Sequence, residues 1–229
     1  MRILAVDTAT KSCSVAITEE KTVLEELTTD NGQTHSRHLL EMVHTIMQTT
    51  GLSMSSIDGF AVTRGPGSFT GLRIGISSIK GFALAVNKPV VGISSLEALA
   101  QQSTPEAERV CAIIDARKGE VYAAFYQFTP EGLKPDGDEM VLPPDELLMD
   151  ISKTCIFVGS GAVLYRDVIA EKLRDHARFA PQAQQIIRAS TVALLGHQRF
   201  ENGKVDEIAE LVPHYIRKSD AELNFGKKQ

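Results

Sequence analysis

Residues 5–17 read AVDTATKSCSVAI. An apolar run over 3–6 stops at Asp7, small and hydroxylated residues follow, and a second β-like run begins at Ser14-Val15-Ala16-Ile17. A third, Thr22-Val23-Leu24, lies beyond the charged Glu19-Glu20-Lys21. Short apolar segments separated by polar turns predict strand, hairpin, strand, with an aspartate closing the first strand. The outline then returns. Residues 110–115 form an apolar run ending in Asp115, Lys118-Gly119 supplies a tight turn, and residues 120–128 give another strand. A repeated strand, aspartate, turn and strand predicts two lobes built from one ancestral unit. At about 150 residues per domain, a chain of 229 residues falls between one domain and two. The repeat resolves that fraction into two small lobes, 1–104 and 105–217. Their boundary falls in the polar stretch 102–109, and the polar residues 218–229 form a frayed tail.

Between the two openings the pattern changes period. Over 34–50 the apolar residues Leu39, Leu40, Val43, Ile46 and Met47 recur three and four apart, and Gly51 follows, which predicts an amphipathic helix. Residues 59–63 read as a buried strand running into Gly65-Pro66-Gly67-Ser68-Phe69-Thr70. A second helix is expected over 70–86 with Thr70 as its cap, broken by Asn87-Lys88-Pro89. A strand at 90–93 and a helix capped by Ser94 or Ser95 complete the first lobe. In the second lobe, Pro130, Pro135 and Gly137 break a long connection over 129–145. A strand at 156–158 leads through Gly159-Ser160-Gly161 into a helix carrying Val163, Ile169 and Leu173. The last helix, from Ser190, is able to pack back on the first lobe. Strands alternating with helices on mixed sheets define an α/β protein.

Composition excludes several classes of function. Hydrophobic residues are 43% of the chain and charged residues 23%, enough to bury a core. The net charge of −5 argues against an independent nucleic-acid binder, and neither lobe is basic. Cys13, Cys111 and Cys155 are odd in number and never paired as C-x-x-C, so no disulfide framework or zinc site is expected. No run of roughly 18 apolar residues suggests a membrane span, and the run before Asp7 is too short for a signal segment. A reducing cytoplasm fits.

The strand ending in Asp7 and followed by hydroxylated residues resembles the first phosphate loop of the actin-like ATPase superfamily. There, backbone N–H groups surround a phosphate while the aspartate orients a metal-bound water. Ala9 stands where that superfamily keeps glycine, the turn Asp115-Ala116-Arg117-Lys118-Gly119-Glu120 has one glycine where relatives have several, and Val158-Gly159-Ser160-Gly161 echoes the third motif only in part. A longer match is carried by Gly65-Pro66-Gly67-Ser68-Phe69-Thr70-Gly71-Leu72-Arg73-Ile74-Gly75. With His35-Ser36 upstream, Asp115-Ala116-Arg117 and Gly119-Glu120-Val121-Tyr122 downstream, and Pro213-His214-Tyr215-Ile216-Arg217 at the end, the chain resembles the bacterial TsaB (YeaZ) family from Arg2 to Arg217. That resemblance implies two RNase-H-like lobes, a cytoplasmic protein, direct pairing with a TsaD-like protein, and a TsaE-like ATPase in the assembly. It also implies support for threonylcarbamoyl transfer to the adenosine beside the anticodon of tRNA, with tRNA touched indirectly and a homodimer forming in isolation. The metal and the transferase site would belong to the TsaD-like partner.

Chemistry of the chain's own is weighed against these motifs. The histidines 35, 38, 44, 176, 197 and 214 include no pair four apart, the helical spacing of a TsaD-like metal site, so no metal or cofactor is expected. Ser68 lies in Gly67-Ser68-Phe69, not in a G-x-S-x-G elbow, which disfavours a peptidase. The 65–75 stretch matches neither G-x-G-x-x-G nor a Walker loop. It leaves a weak anion site at most, a degenerate nucleotide or anion loop comprising Asp7, Thr8, Gly65, Gly67, Ser68, Asp115 and Arg117; the stronger alternative is structural, with Gly65 and Gly67 allowing tight backbone angles, Thr70 capping the helix, Asp7 and Asp115 capping turns and Arg117 in a solvated turn. A nucleotide-dependent small-molecule kinase or ATPase of the same superfamily is the rival function. The helix GLRIGISSIKGFALAV carries glycines whose interior helical cost is about 1 kcal/mol each. Its small residues fall in rows, Gly71-Gly75-Ser78 and Ser77-Gly81-Ala85, that allow another backbone close. Two adjacent helices with more apolar surface than one sheet can cover, together with the pairing the resemblance implies, give the expected partner face as His35, Leu39, Val43 and Ile46 on one helix and Leu72, Gly75, Ile76 and Ile79 on the other; the alternative is that these flanks pack on the chain's own sheet and first helix.

Overall fold

In the computed structural model, residues 1–30, 35–103, 109–149 and 151–217 are described, those at 35–37 in their backbone only. The expected boundary at 104 and 105 and the tail 218–229 lie outside the described residues. The opening residues form β1 (Arg2–Asp7), β2 (Cys13–Glu19) and β3 (Thr22–Thr29), followed by α1 (His35–Thr50), β4 (Gly59–Gly65), α2 (Phe69–Val86), β5 (Val90–Ser94) and α3 (Ser95–Gln101). Then come β6 (Arg109–Arg117), β7 (Glu120–Thr129), β8 (Gly132–Pro135), β9 (Met140–Leu142), α4 (Pro144–Leu147), β10 (Cys155–Val158), α5 (Ser160–Leu164), α6 (Arg166–Leu173), β11 (Ala177–Phe179) and α7 (Ala189–Glu201).

The first sheet has the order β3-β2-β1-β4-β5, with β4 and β5 parallel to β1 and the hairpin strands antiparallel. The second runs β11-β10-β6-β7-β8, with β10 and β11 parallel to β6 and the hairpin again antiparallel. Read from the hairpin end, the two orders are the same, which gives the repeated strand-aspartate-strand a structural counterpart. Parallel pairing also places Asp7 and Asp115 at the carboxyl ends of the central strands, where ligands of open α/β sheets bind.

Helices cover both sheets. Leu39, Val43 and Ile46 of α1 and Ile76, Ile79 and Ala83 of α2 bury Leu4, Val6, Phe60 and Val62 on one face of the first sheet. Helices α4, α5 and α6 cover the equivalent face of the second sheet. Between the sheets, α3 packs on β6 and β7 while α7 packs on β1, β2, β4 and β5. Leu96, Leu99, Val192 and Leu195 therefore share a core with residues of both sheets. Gly196 permits that seating, since a Cβ there would lie 2.9 Å from the Ala61 methyl.

Some local readings are corrected by long-range pairing. Strand β3 extends five residues beyond Leu24 because β2 pairs with it to Thr29. Its charged Glu26 is tolerated there because it accepts hydrogen bonds from Arg188 Nε at 2.9 Å and from Ser190 N–H at 2.9 Å. The connection after Thr129 contains β8, β9 and α4, whose short strands depend on β7 for their hydrogen bonds. The helix expected through Val163 and Leu173 is two helices, interrupted at Tyr165.

Candidate functional site

The first expected loop is filled by the chain itself. Asp7 is fully buried at the end of β1, and its Oδ1 accepts from Thr63 Oγ1 at 2.7 Å and from Ala9 N–H at 3.1 Å. Its Oδ2 is buried with no hydrogen-bond partner among the described residues. Burial, only partly opposed by the bonds from Thr63 and Ala9, lifts this carboxyl from 3.8 to about 7. Thr8 Oγ1 donates to the Gly71 carbonyl at 2.8 Å, and Ser68 N–H donates to the Ala9 carbonyl at 2.7 Å. The glycines of this stretch exist for that closeness. A Cβ at Gly67 would stand 2.3 Å from the Ala9 oxygen, one at Gly71 2.0 Å from the Thr8 oxygen, and one at Gly75 2.3 Å from Thr8 Oγ1. Loop 65–68 and the first turns of α2 pack against Thr8 and Ala9, the residues that follow Asp7, and Asp7 itself is shut off from solvent.

Ser68, rather than Thr70, caps α2: its side chain accepts from Gly71 N–H at 3.3 Å, and the helix begins at Phe69. That bond engages the hydroxyl on which a peptidase reading depends. Gly65 has φ +121°, and a Cβ there would meet the His214 carbonyl at 2.6 Å. At the matching turn of the second lobe, Asp115 Oδ1 accepts from Arg117 N–H at 2.8 Å, an aspartate turn, while the Arg117 side chain is exposed. Arg117 and Lys118 both have positive φ, +64° and +56°. In the third loop a Cβ at Gly159 would lie 2.4 Å from the Ile113 oxygen, and one at Gly161 2.4 Å from Ile113 Cγ2, so these glycines serve helix-on-strand packing. No group of three or more His, Cys, Asp and Glu able to hold a metal occurs among the described residues.

The partner face named from the sequence requires correction. Leu39, Ile46, Leu72 and Ile79 are fully buried, Val43 and Ile76 nearly so, and Gly75 is seated on Thr8. They hold α1 and α2 on the first sheet and present nothing to a second molecule. The side chain of His35 lies outside the described residues. The outward row is the other one: Ser77, Gly81 and Ala85 are exposed, Ile74 and Phe82 are half-buried, Leu84 is 65% exposed, and Leu40 of α1 is 54% exposed. Nothing lies within 4 Å of a Cβ built on Gly81. The helix rows predicted that one flank admits a second backbone; which flank looks outward depends on Thr8, far away in sequence. With a mean hydropathy of 1.3 over 18 residues, α2 meets the length and average apolarity of a membrane span, but Arg73, Ser77, Ser78 and Lys80 interrupt it, so it is not an unbroken apolar run. Its apolarity has a local cause, since six of its residues are buried on the sheet.

The chain has relatives along its whole length. The family model for TsaD, tRNA N6-adenosine threonylcarbamoyltransferase, matches residues 22–225. The tRNA threonylcarbamoyladenosine biosynthesis protein TsaB of Escherichia coli K12 is 37% identical, covering 96% of each chain. That of Bacillus subtilis 168 is 30% identical over 100% of both. Among solved structures, YeaZ from Pseudomonas aeruginosa superposes with a TM-score of 0.82 at 32% identity, covering 94% of this chain and 99% of its own. An activator of 2-hydroxyisocaproyl-CoA dehydratase from Clostridium difficile, solved with ADPNP, shares the fold alone: TM-score 0.52, 13% identity, 89% and 97% coverage. With its duplicated sheets, its altered aspartate loops and full-length relatives at this identity, the chain belongs to the TsaB (YeaZ) family.

Proposed function

We propose that this chain is a non-catalytic subunit of tRNA threonylcarbamoylation that docks on a TsaD-like protein through the outward face of α1 and α2. The observation that carries the reading is the contrast between two glycine rows on α2. One is consumed in sealing Asp7 under the protein's own backbone, and the other is open to solvent beside Leu84 and Ala85. A fully buried aspartate presents no surface to a phosphate or a metal-bound water, which disfavours a kinase or ATPase. An exposed helix face of small and apolar residues is suited to close helix-on-helix packing. In this reading the chain works in the cytoplasm, a TsaE-like ATPase joins the assembly, tRNA is held by the partners, and the same face pairs two copies when no partner is present.

Gly81→Trp tests the interface, because the added side chain meets open space in the isolated chain. The expected result is a melting temperature no lower than that of the unaltered chain and at least about tenfold weaker binding to the TsaD-like protein of the same organism by calorimetry. Reconstituted tRNA modification, at matched concentrations with and without the chain, should fall with the same variant. Unchanged affinity and unchanged modification would overturn the reading.

A further inference from the structure

The last described residues, 205–217, contain no helix and no strand pairing beyond a single bridge, yet they are anchored at Asp206, Ala209, Leu211, His214, Tyr215 and Arg217. Asp206 bridges to Val90, donating its N–H to the Val90 carbonyl at 2.9 Å and accepting from Gly92 N–H on Oδ2 at 2.7 Å. Lys80, in the middle of α2, donates to the carbonyls of Ala209 at 3.1 Å and Leu211 at 3.3 Å, and Leu211 is 3% exposed in the core of the first lobe. His214 N–H donates to the Arg64 carbonyl at 2.6 Å. The Tyr215 ring stacks on Phe69 with centroids 4.4 Å apart, and its hydroxyl accepts from Arg73 Nε at 2.9 Å. All these contacts are to β4, β5 and α2.

The next contacts cross to the other lobe. Arg217 donates to the Ala116 carbonyl at 2.9 Å and pairs with Glu120 at 3.1 Å, at the two sides of the β6–β7 turn. His214 Nε2 lies 3.2 Å from Glu139 Oε2, and Glu139 Oε1 accepts from the Ser94 hydroxyl at the end of β5. Within four residues, 214–217, the chain therefore grips the first turns of α2 and the aspartate turn of the second lobe. We propose that residues 205–217 form a clasp coupling α2 to the β6–β7 turn, so that a change at one is felt at the other. The stack on Phe69 and the guanidinium pair at Glu120 are joined by two peptide units, which leaves little slack between them. The proposal concerns the isolated chain and stands whether or not α2 is the docking helix. If α2 does dock a partner, the clasp carries that event to the aspartate turn of the second lobe.

Hydrogen exchange of the full-length chain, read by mass spectrometry, separates coupling from local loss. Among the described residues, Tyr215→Ala removes the ring and hydrogen-bond contacts to Phe69 and Arg73, and Arg217→Ala removes the polar contacts to Ala116 and Glu120 and the charge beside Tyr122. Coupling predicts that each variant speeds exchange by at least about threefold in both segments, 69–75 and 115–121, including the one it does not touch. Tyr215→Phe, which keeps the stack, should restore most of the protection at 115–121. Acceleration confined to the segment each side chain contacts would overturn the proposal. Circular dichroism at the exchange temperature establishes that both variants are folded, and Arg217→Lys provides a milder substitution that must show the same two-segment response in smaller degree.

Discussion

Replacing Asp7 with asparagine should make the protein progressively more stable, relative to the unaltered chain, as pH rises. The carboxyl is fully buried, and burial lifts it from 3.8 to about 7. Between those two values the native protein retains a proton that the unfolded chain has released, so the native state loses stability as pH rises through that window. Above it both states are ionised and the loss stops growing. Each tenfold change in proton affinity between the two states is worth about 1.4 kcal/mol, so the ionised carboxylate costs the fold roughly 4 kcal/mol once the window is passed. Asparagine keeps the size and leaves Oδ1 to accept from Thr63 and Ala9, but sets an NH2 group where Oδ2 has no partner. That group costs on the order of 1–3 kcal/mol, independent of pH. The decisive quantity is consequently the change in the variant's relative stability between about pH 5 and about pH 8, worth roughly 2–3 kcal/mol in favour of Asp7→Asn. Urea unfolding followed by circular dichroism measures it, since the chain has no tryptophan. A difference that stays flat with pH, or that turns against asparagine as pH rises, would refute the sealed carboxyl.

The glycines of α2 predict opposite outcomes. Gly81→Ala places a methyl in open space and should stabilise the isolated chain by about 1 kcal/mol through helix propensity, whereas Gly75→Leu drives a side chain into Thr8 and should destabilise by on the order of 3 kcal/mol; equal effects in chemical denaturation would contradict the assigned faces. Titrating the isolated chain with ATP and magnesium in a calorimeter should give no saturable heat, because Asp7 is fully buried. Saturable binding that is lost on Asp7→Ala would restore the kinase or ATPase reading.

Much of the architecture was legible because it rests on local patterns. Alternation of apolar runs with charged turns marked the hairpins at both openings, and the recurrence of an aspartate after the strand announced the duplication before any pairing was known. The three- and four-residue spacing of Leu39, Val43 and Ile46 marked α1, and Asn87 ends α2 in the left-handed conformation that such a residue tolerates. The full length of β3, the short β8 and β9, and the break at Tyr165 were not legible. A strand of four residues acquires its hydrogen bonds from a partner across the sheet, not from its own composition.

For the candidate site the division is sharper. The sequence alone determined that the aspartate loops had departed from a nucleotide-binding pattern, and that α2 carries more small residues than its own stability favours. Tertiary structure alone decided what those residues are for. The Gly71 and Gly75 flank meets the Thr8 backbone and hydroxyl across more than sixty positions of chain, while the Gly81 flank meets solvent. A helical period places residues in rows but carries no information on which row turns inward; that is set by the surface each row packs against, and those surfaces come from distant parts of the chain.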